Sequence, residues 1–280
     1  MINEAELRRL AARAGVDPMV QDLDYSLGWF LAGLFSQAEA SNRLVFKGGT
    51  CLRKAYFADY RFSEDLDFTL TRTWAAEELL TAIELVQGWS EALGGPDFAV
   101  ERPRLEVIND EYGKESLQAR IYYRGPLRWG GAARAIQLDL NRDEIIVFPR
   151  QMRMLTHPYS DAERLGRVQL PCYALEEMLT EKLRAIGGQR RFAISRDLYD
   201  IYQLTRIGLS SKEVHQALPA KCAAKGLSPD RLSLQSLLER KPMFAADWQR
   251  SLSHLLPARD HLAFEDAWGA VIQWLESFLE

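Results

Sequence analysis

Cysteine is scarce. Cys51, Cys172 and Cys222 are the only three in 280 residues, odd in number and far apart. With no CxxC pair, the chain offers neither a disulfide framework nor a four-cysteine zinc site. Long apolar runs are missing as well. None approaches the roughly 20 residues needed to cross a bilayer. The opening Met1-Ile2-Asn3-Glu4-Ala5-Glu6 is polar and acidic, unlike a secretory signal. A cytoplasmic protein with no membrane partner is expected. The four histidines (His157, His215, His254, His261) show no metal-ligand spacing. Nor is positive charge in excess. The net charge of -4 argues against nonspecific coating of nucleic acid. A serine nucleophile elbow, a Walker lysine loop and a Rossmann glycine fingerprint are all absent.

Apolar residues make up 47% of the chain and charged ones 26%, enough for one large or two moderate globular domains. Periodicity predicts helices over 4–14, 18–40, Thr50 to Ala58 and Ala75 to Leu93. Arg43–Phe46 and Leu66–Leu70 read as strands, followed by candidates at Phe98–Ile108, Ser116–Tyr123, Ala135–Leu140 and Ile145–Phe148. Tyr173–Ile186 and Arg196–Ile207 are strong helices. Beyond them nearly everything reads as helix, with breaks at Ser228-Pro229 and Lys241-Pro242. The expectation is an α+β protein with a mixed half, 1–155, and a helical half, 156–280.

Chemistry concentrates at Phe46-Lys47-Gly48-Gly49-Thr50 and Arg61-Phe62-Ser63-Glu64-Asp65-Leu66-Asp67-Phe68. A glycine pair between strand and helix lets backbone N–H groups approach a phosphate. Thr50 adds a hydroxyl near the helix N-cap, and Lys47 a cation. Asp65 and Asp67 project from one strand face, while Leu66 and Phe68 enter the core. Two neighbouring carboxylates repel, and a divalent cation relieves that repulsion. The bland alternative is a strand end with solvated acids. Asp139, within an apolar strand, offers a third carboxylate as metal ligand or base. Asp143 and Glu144 beyond it read as solvated. In the helical half, Lys182 lies close to the packing face of its helix. Ser195 is a candidate N-cap, Asp197 suits the first turn, and Asp200 has the spacing to pair with Arg196. Arg184, Arg190, Arg191 and Arg196 form one basic group. Arg120, Arg124, Arg128 and Arg134, interleaved with Tyr122, Tyr123 and Trp129, form another, which reads equally as a surface for bases and phosphates or as solvated arginines beside core aromatics.

The motifs KGGT, RFSEDLDF, EEMLTEKLRA and SRDLYDIYQL occur in an order that resembles the AbiEii/AbiGii family of nucleotidyltransferase toxins, including the MenT-type toxins. The resemblance covers roughly residues 40–205. It implies a DNA-polymerase-β-like nucleotidyltransferase core followed by a helical lobe that completes the active-site cleft. It also implies that Gly48, Gly49 and Thr50 contact triphosphate, and that Ser63, Asp65 and Asp67 bind nucleotide and Mg²⁺ or Mn²⁺. Lys182 would be the triphosphate-binding lysine, Asp197 or Asp200 the distal catalytic aspartate, and Arg196 its neighbour. The substrate would be an NTP, the acceptor RNA, most readily the 3′ end of tRNA, and the partner a cognate antitoxin. A protein or small-molecule acceptor, and a non-catalytic NTP-binding module, are the alternative readings.

Overall fold

The computed structural model describes residues 1–109, 115–127, 133–142, 144–189, 192–260 and 262–280. The chain forms two compact units. One holds Met1–Asp143, Arg150–Cys172 and Pro257–Arg259; the other holds Glu144–Pro149, Tyr173–Leu256 and Asp260–Glu280. Among the described residues, no helix is long and apolar enough to cross a membrane.

The first unit is built on a mixed sheet. Helices α1 (Glu4–Ala14), α2 (Pro18–Phe35) and α3 (Ala38–Arg43) lead into β1 (Leu44–Lys47). Helix α4 (Gly48–Cys51) continues as a wider π turn over Leu52–Tyr56, before β2 (Asp65–Leu70) and α5 (Ala76–Ala92). Strands β3 (Arg104–Asn109), β4 (Glu115–Tyr123), β5 (Arg134–Asn141), β6 (Gln151–Met154) and β7 (Gln169–Cys172) follow. Their order is β3-β4-β5-β2-β1-β7-β6. Strand β2 runs antiparallel to β1 and parallel to β5. This is the α+β class that the sequence predicts.

Strand alternation sorts the sheet into two faces. Phe46 and Phe68 are register partners stacked at 5.0 Å, and Phe68 meets Phe35 of α2 at 5.8 Å. Leu66, Ala119, Leu138 and Leu140 are fully buried. Full burial of each large apolar side chain contributes about 1.5–3 kcal/mol. Helix α2 also buries Asp24, which accepts from Arg53 Nε at 2.6 Å, Lys54 Nζ at 2.8 Å and the Tyr159 hydroxyl at 2.6 Å. Burial pushes the Asp24 carboxyl up, but the Arg53 and Lys54 charges outweigh it and hold it below the usual range.

Several elements differ from expectation for local reasons. Helix α2 stops at Phe35, where the Ser36 hydroxyl takes the Gly33 carbonyl. The strand expected over Phe98–Ile108 is confined to Arg104–Asn109, after Pro103, which cannot donate to a ladder. Strands β6 and β7 are too short for alternation to mark them as strands. Each has four residues, and β6 is exposed throughout.

The second unit contains α6 (Leu175–Arg184), α7 (Ser195–Thr205), α8 (Ser211–Ala223), α9 (Leu234–Asp247) and α10 (Phe264–Leu279). Pro242, expected to break the chain, lies inside α9. Its missing N–H frees the carbonyl of Leu238, an exposed residue whose carbonyl can turn to water. Ile145–Phe148 is not a strand. The Val147 and Phe148 amides donate to Glu177 Oε2 at 2.8 and 2.7 Å. Glu144 is not solvated. It is buried against Arg184 Nη1 at 2.7 Å, with Lys221 Nζ at 3.4 Å and Lys225 Nζ at 3.5 Å. Asp143 lies outside the described residues. Fully buried Lys221 also meets Glu177 at 2.7 Å and Glu181 at 3.0 Å. Burial pulls the Lys221 amine down, yet Glu181, Glu144 and Glu177 together hold it above its ordinary value.

Removing one member of such a network strands the others. Lys221→Met leaves three carboxylates short of a buried cation, and urea unfolding is expected to show a loss of about 3–5 kcal/mol. His157 supplies a pH test. It is buried between Tyr25 and Tyr159, with ring centroids at 5.2 and 4.6 Å. Burial lowers its pKa, against the raising effect of Asp161. The folded imidazole therefore resists protonation more than the unfolded one, and its contribution to stability fades as pH falls below about 6.5. The unfolding midpoint should drop over that acid leg, and His157→Phe should flatten it.

Candidate functional site

Register on the sheet brings the sequence-selected residues together. Lys47 of β1 stands opposite Asp67 of β2, Asp67 beside Asp139 of β5, and Asp139 opposite Gln118 of β4. One step along, Asp65 stands beside Gln137 and Gln137 opposite Arg120. These residues share the face opposite Leu66 and Phe68, and Asp65, Asp67 and Asp139 are all half-buried.

The glycine turn lies against this row. Gly48 has φ of 78°, and a Cβ placed on it would lie 2.2 Å from Asp67 Oδ2. No other residue type fits there without moving the carboxylate. A Cβ on Gly49 would lie 2.4 Å from the Arg61 guanidinium. Arg61, buried just before β2, donates to the Phe62 carbonyl at 3.1 Å. It thus packs behind the turn, a role its place in the RFSEDLDF motif did not reveal. Thr50 does not cap the helix; Lys47 occupies that position without a side-chain cap. The Thr50 hydroxyl instead donates to the Asp65 carbonyl, tying the turn to the start of β2. Ser63 is buried on the segment that enters β2.

Magnesium and manganese take hard oxygen donors. When the ion rides on a triphosphate, one or two protein carboxylates suffice. Asp65 and Asp67 form such a pair on one strand face. Asp139 Oδ1 accepts from Gln118 at 2.8 Å and its Oδ2 from Gln137 at 3.0 Å. Among the described residues, no three histidine, cysteine or acid side chains gather as a metal cage. The donors therefore fit a metal that arrives with a nucleotide, rather than one enclosed by protein.

In the second unit, Lys182 of α6 reaches two acids of α7. Its Nζ lies 2.5 Å from Asp197 Oδ1 and 3.0 Å from Asp200 Oδ2. Asp200 is fully buried, so the expected local pairing with Arg196 gives way to a tertiary contact with Lys182. Asp197, expected to serve the helix dipole, is likewise drawn to Lys182. Ser195 is the first residue of α7, not its cap; its hydroxyl donates to the Phe244 carbonyl at 2.7 Å and its amide to Asp247 at 2.8 Å. Arg184 belongs to the buried network around Glu144 and leaves the proposed basic group. Arg190 and Arg191 lie outside the described residues. In the other group, Arg120 and Arg124 are exposed, while Arg134 donates to the Met19 carbonyl at 2.7 Å and lies over buried Tyr123. Arg128 and Trp129 lie outside the described residues.

The Gly48 contact can be tested against another left-handed glycine. Gly226, which closes α8, has φ of 66° with open space around its Cβ position. Gly226→Ala should cost about 1 kcal/mol in unfolding measurements. Gly48→Ala adds a clash to the strain and should cost about 3 kcal/mol.

Comparison with known proteins assigns the chain to a family. The model of the nucleotidyl transferase AbiEii toxin family, described as a type IV toxin–antitoxin system, matches residues 29–270. No curated protein matches the chain. Among solved structures, MenT4, a nucleotidyltransferase toxin from Mycobacterium tuberculosis H37Rv, is similar with a TM-score of 0.58 and 22% identity. The match covers 97% of this chain and 98% of that one, and it is a likeness of fold. An antigenic nucleotidyltransferase-like protein from Paracoccidioides brasiliensis matches with a TM-score of 0.40 and 17% identity, over 74% of this chain and 94% of that one. With the family model spanning most of its length, the chain belongs to the AbiEii family of nucleotidyltransferase toxins.

Proposed function

We propose that this nucleotidyltransferase moves a nucleotide from a metal-bound NTP to the 3′ hydroxyl of tRNA, releasing pyrophosphate and blocking translation until an antitoxin counters it. The observation that carries the reading is the seating of the glycine turn directly against Asp67, in line with Asp65. This is where a triphosphate and its metal can be held together. The tRNA acceptor rests on the resemblance to MenT-type toxins.

In this reading, Asp65 and Asp67 hold Mg²⁺ or Mn²⁺, which supplies charge neutralisation on the phosphates. Backbone N–H groups at Gly48 and Gly49 orient the triphosphate, with Lys47 as a nearby cation. Thr50 ties the turn to the start of β2, and Ser63, on the segment entering β2, contributes to nucleotide binding. Lys182 is the triphosphate lysine, fixed by Asp197 and Asp200, and Arg196 stands beside them. Asp139 accepts the proton of the attacking hydroxyl or completes the metal site. Catalysis of this kind is mostly positioning and charge neutralisation.

Labelled NTPs, offered one at a time with total tRNA, test the reading. Label on the tRNA 3′ end supports it; label on protein or on small molecules alone moves the acceptor, and binding without turnover leaves a nucleotide-binding module. Asp65→Asn and Asp67→Asn should each lower transfer by at least about 100-fold and relieve growth inhibition. A fully active, toxic Asp67→Asn protein would remove the metal assignment.

A further inference from the structure

The first unit contains a cavity of about 300 Å³ to which the reading above gives no role. Its wall includes Leu10, Arg13, Arg53, Asp59, Phe62 and Arg259. We propose that this cavity is a binding site for a phosphate dianion, free or carried as a monoester.

Charge is the first reason. Three guanidinium groups line the cavity against the single carboxylate of Asp59, an excess of two positive charges. Behind the wall, Asp24 is shared by Arg53 at 2.6 Å and Lys54 at 2.8 Å, so that trio keeps one positive charge and the excess of two stands. A phosphate monoester carries nearly two negative charges at neutral pH. Guanidinium forks also match the geometry of its oxygens.

Preorganisation is the second reason. Arg53 is nine-tenths buried, and its charge is fixed in place. Its Nε donates to Asp24 at 2.6 Å, its Nη1 donates to the Tyr60 carbonyl, and the guanidinium lies 3.6 Å over the Phe62 ring. Nη2 is the end of this guanidinium with no hydrogen-bond partner among the described residues. The mouth is adaptable by contrast. Arg259 pairs with Asp59 while both are well exposed, at 61% and 70%. Such a surface pair is worth little and can open to an incoming anion. Arg13 stands exposed on the last turn of α1. The backbone that presents Arg259 is itself anchored. The Ala258 amide donates to the Ala14 carbonyl at 2.7 Å, and a Cβ on Gly15 would lie 2.2 Å from Ala258 Cβ.

Position is the third. Arg53, Ala58, Asp59 and Phe62 all belong to the stretch between the glycine turn and β2. The same stretch carries Arg61 and Ser63. An anion bound here braces the connection that sets the Gly48–Asp67 contact.

The test is calorimetric titration of the full chain, without divalent metal, using inorganic phosphate, 5′-AMP and adenosine. Wild type should bind phosphate and AMP but not adenosine. Arg13→Ala/Arg259→Ala should weaken both anions by about tenfold or more. Equal affinities for the two anions mark the free anion as the ligand, and tighter AMP marks a nucleotide. Arg259→Gln alone gives the same reading should the double variant lose its fold. No binding of either anion to wild type overturns the proposal, as does unchanged affinity in the variants or adenosine binding as tightly as AMP.

Discussion

The register of β1 against β2 is the constraint on which the candidate site depends. Because side chains alternate along a strand, a slip of one residue would bury Asp65 and Asp67 and expose Leu66 and Phe68. The stack of Phe46 on Phe68, capped by Phe35, makes that slip costly. Core packing on one face thus fixes where the acids stand on the other. The register also delivers Gly48 to Asp67, and the glycine must then do without a side chain and adopt a left-handed turn.

Buried charge fastens what regular structure does not. In the first unit, Asp24 gathers the side chains of Arg53, Lys54 and Tyr159 from two distant stretches of chain. In the second, Glu177 holds two backbone amides of the extended stretch Glu144–Pro149, while Glu144 and Lys221 reach across α6 and α8. Such networks add little net stability over well-packed apolar residues, yet losing one partner is costly. Their effect here is to give loops without ladders a single position.

What the sequence made legible follows from the range of the interaction. Alternation exposed β2 and assigned Asp65 and Asp67 to one face, since that needs only neighbours in sequence. The glycine pair announced a close approach but not its partner, because the partner depends on an antiparallel register 19 residues away. Glu144 looked solvated because its cations, Arg184 and Lys221, lie 40 and 77 residues downstream. Arg196 and Asp200 satisfied a local pairing rule, and a tertiary contact with Lys182 overrode it. The signal for that contact was present in the three-residue spacing of Asp197 and Asp200, which puts both on one side of α7.

Asp139 shows how a shared strand face holds an acid in place. Placed beside Asp67 in a parallel pair, it adds negative charge to a row that already carries two carboxylates. Gln118 and Gln137 answer that charge with neutral donors, one to each oxygen. Neutral amides keep an acid in place without supplying a countercharge, so Asp139 is held on the row with its own charge undiminished. Coordination of a cation by Asp139 would first require it to give up one of these amides. The same clamp aims Asp139 and limits its rotation, as positioning a hydroxyl for attack demands. The clamp thus joins a neighbour on β5 to a partner on β4, 21 residues upstream, and the local sequence announces only the first.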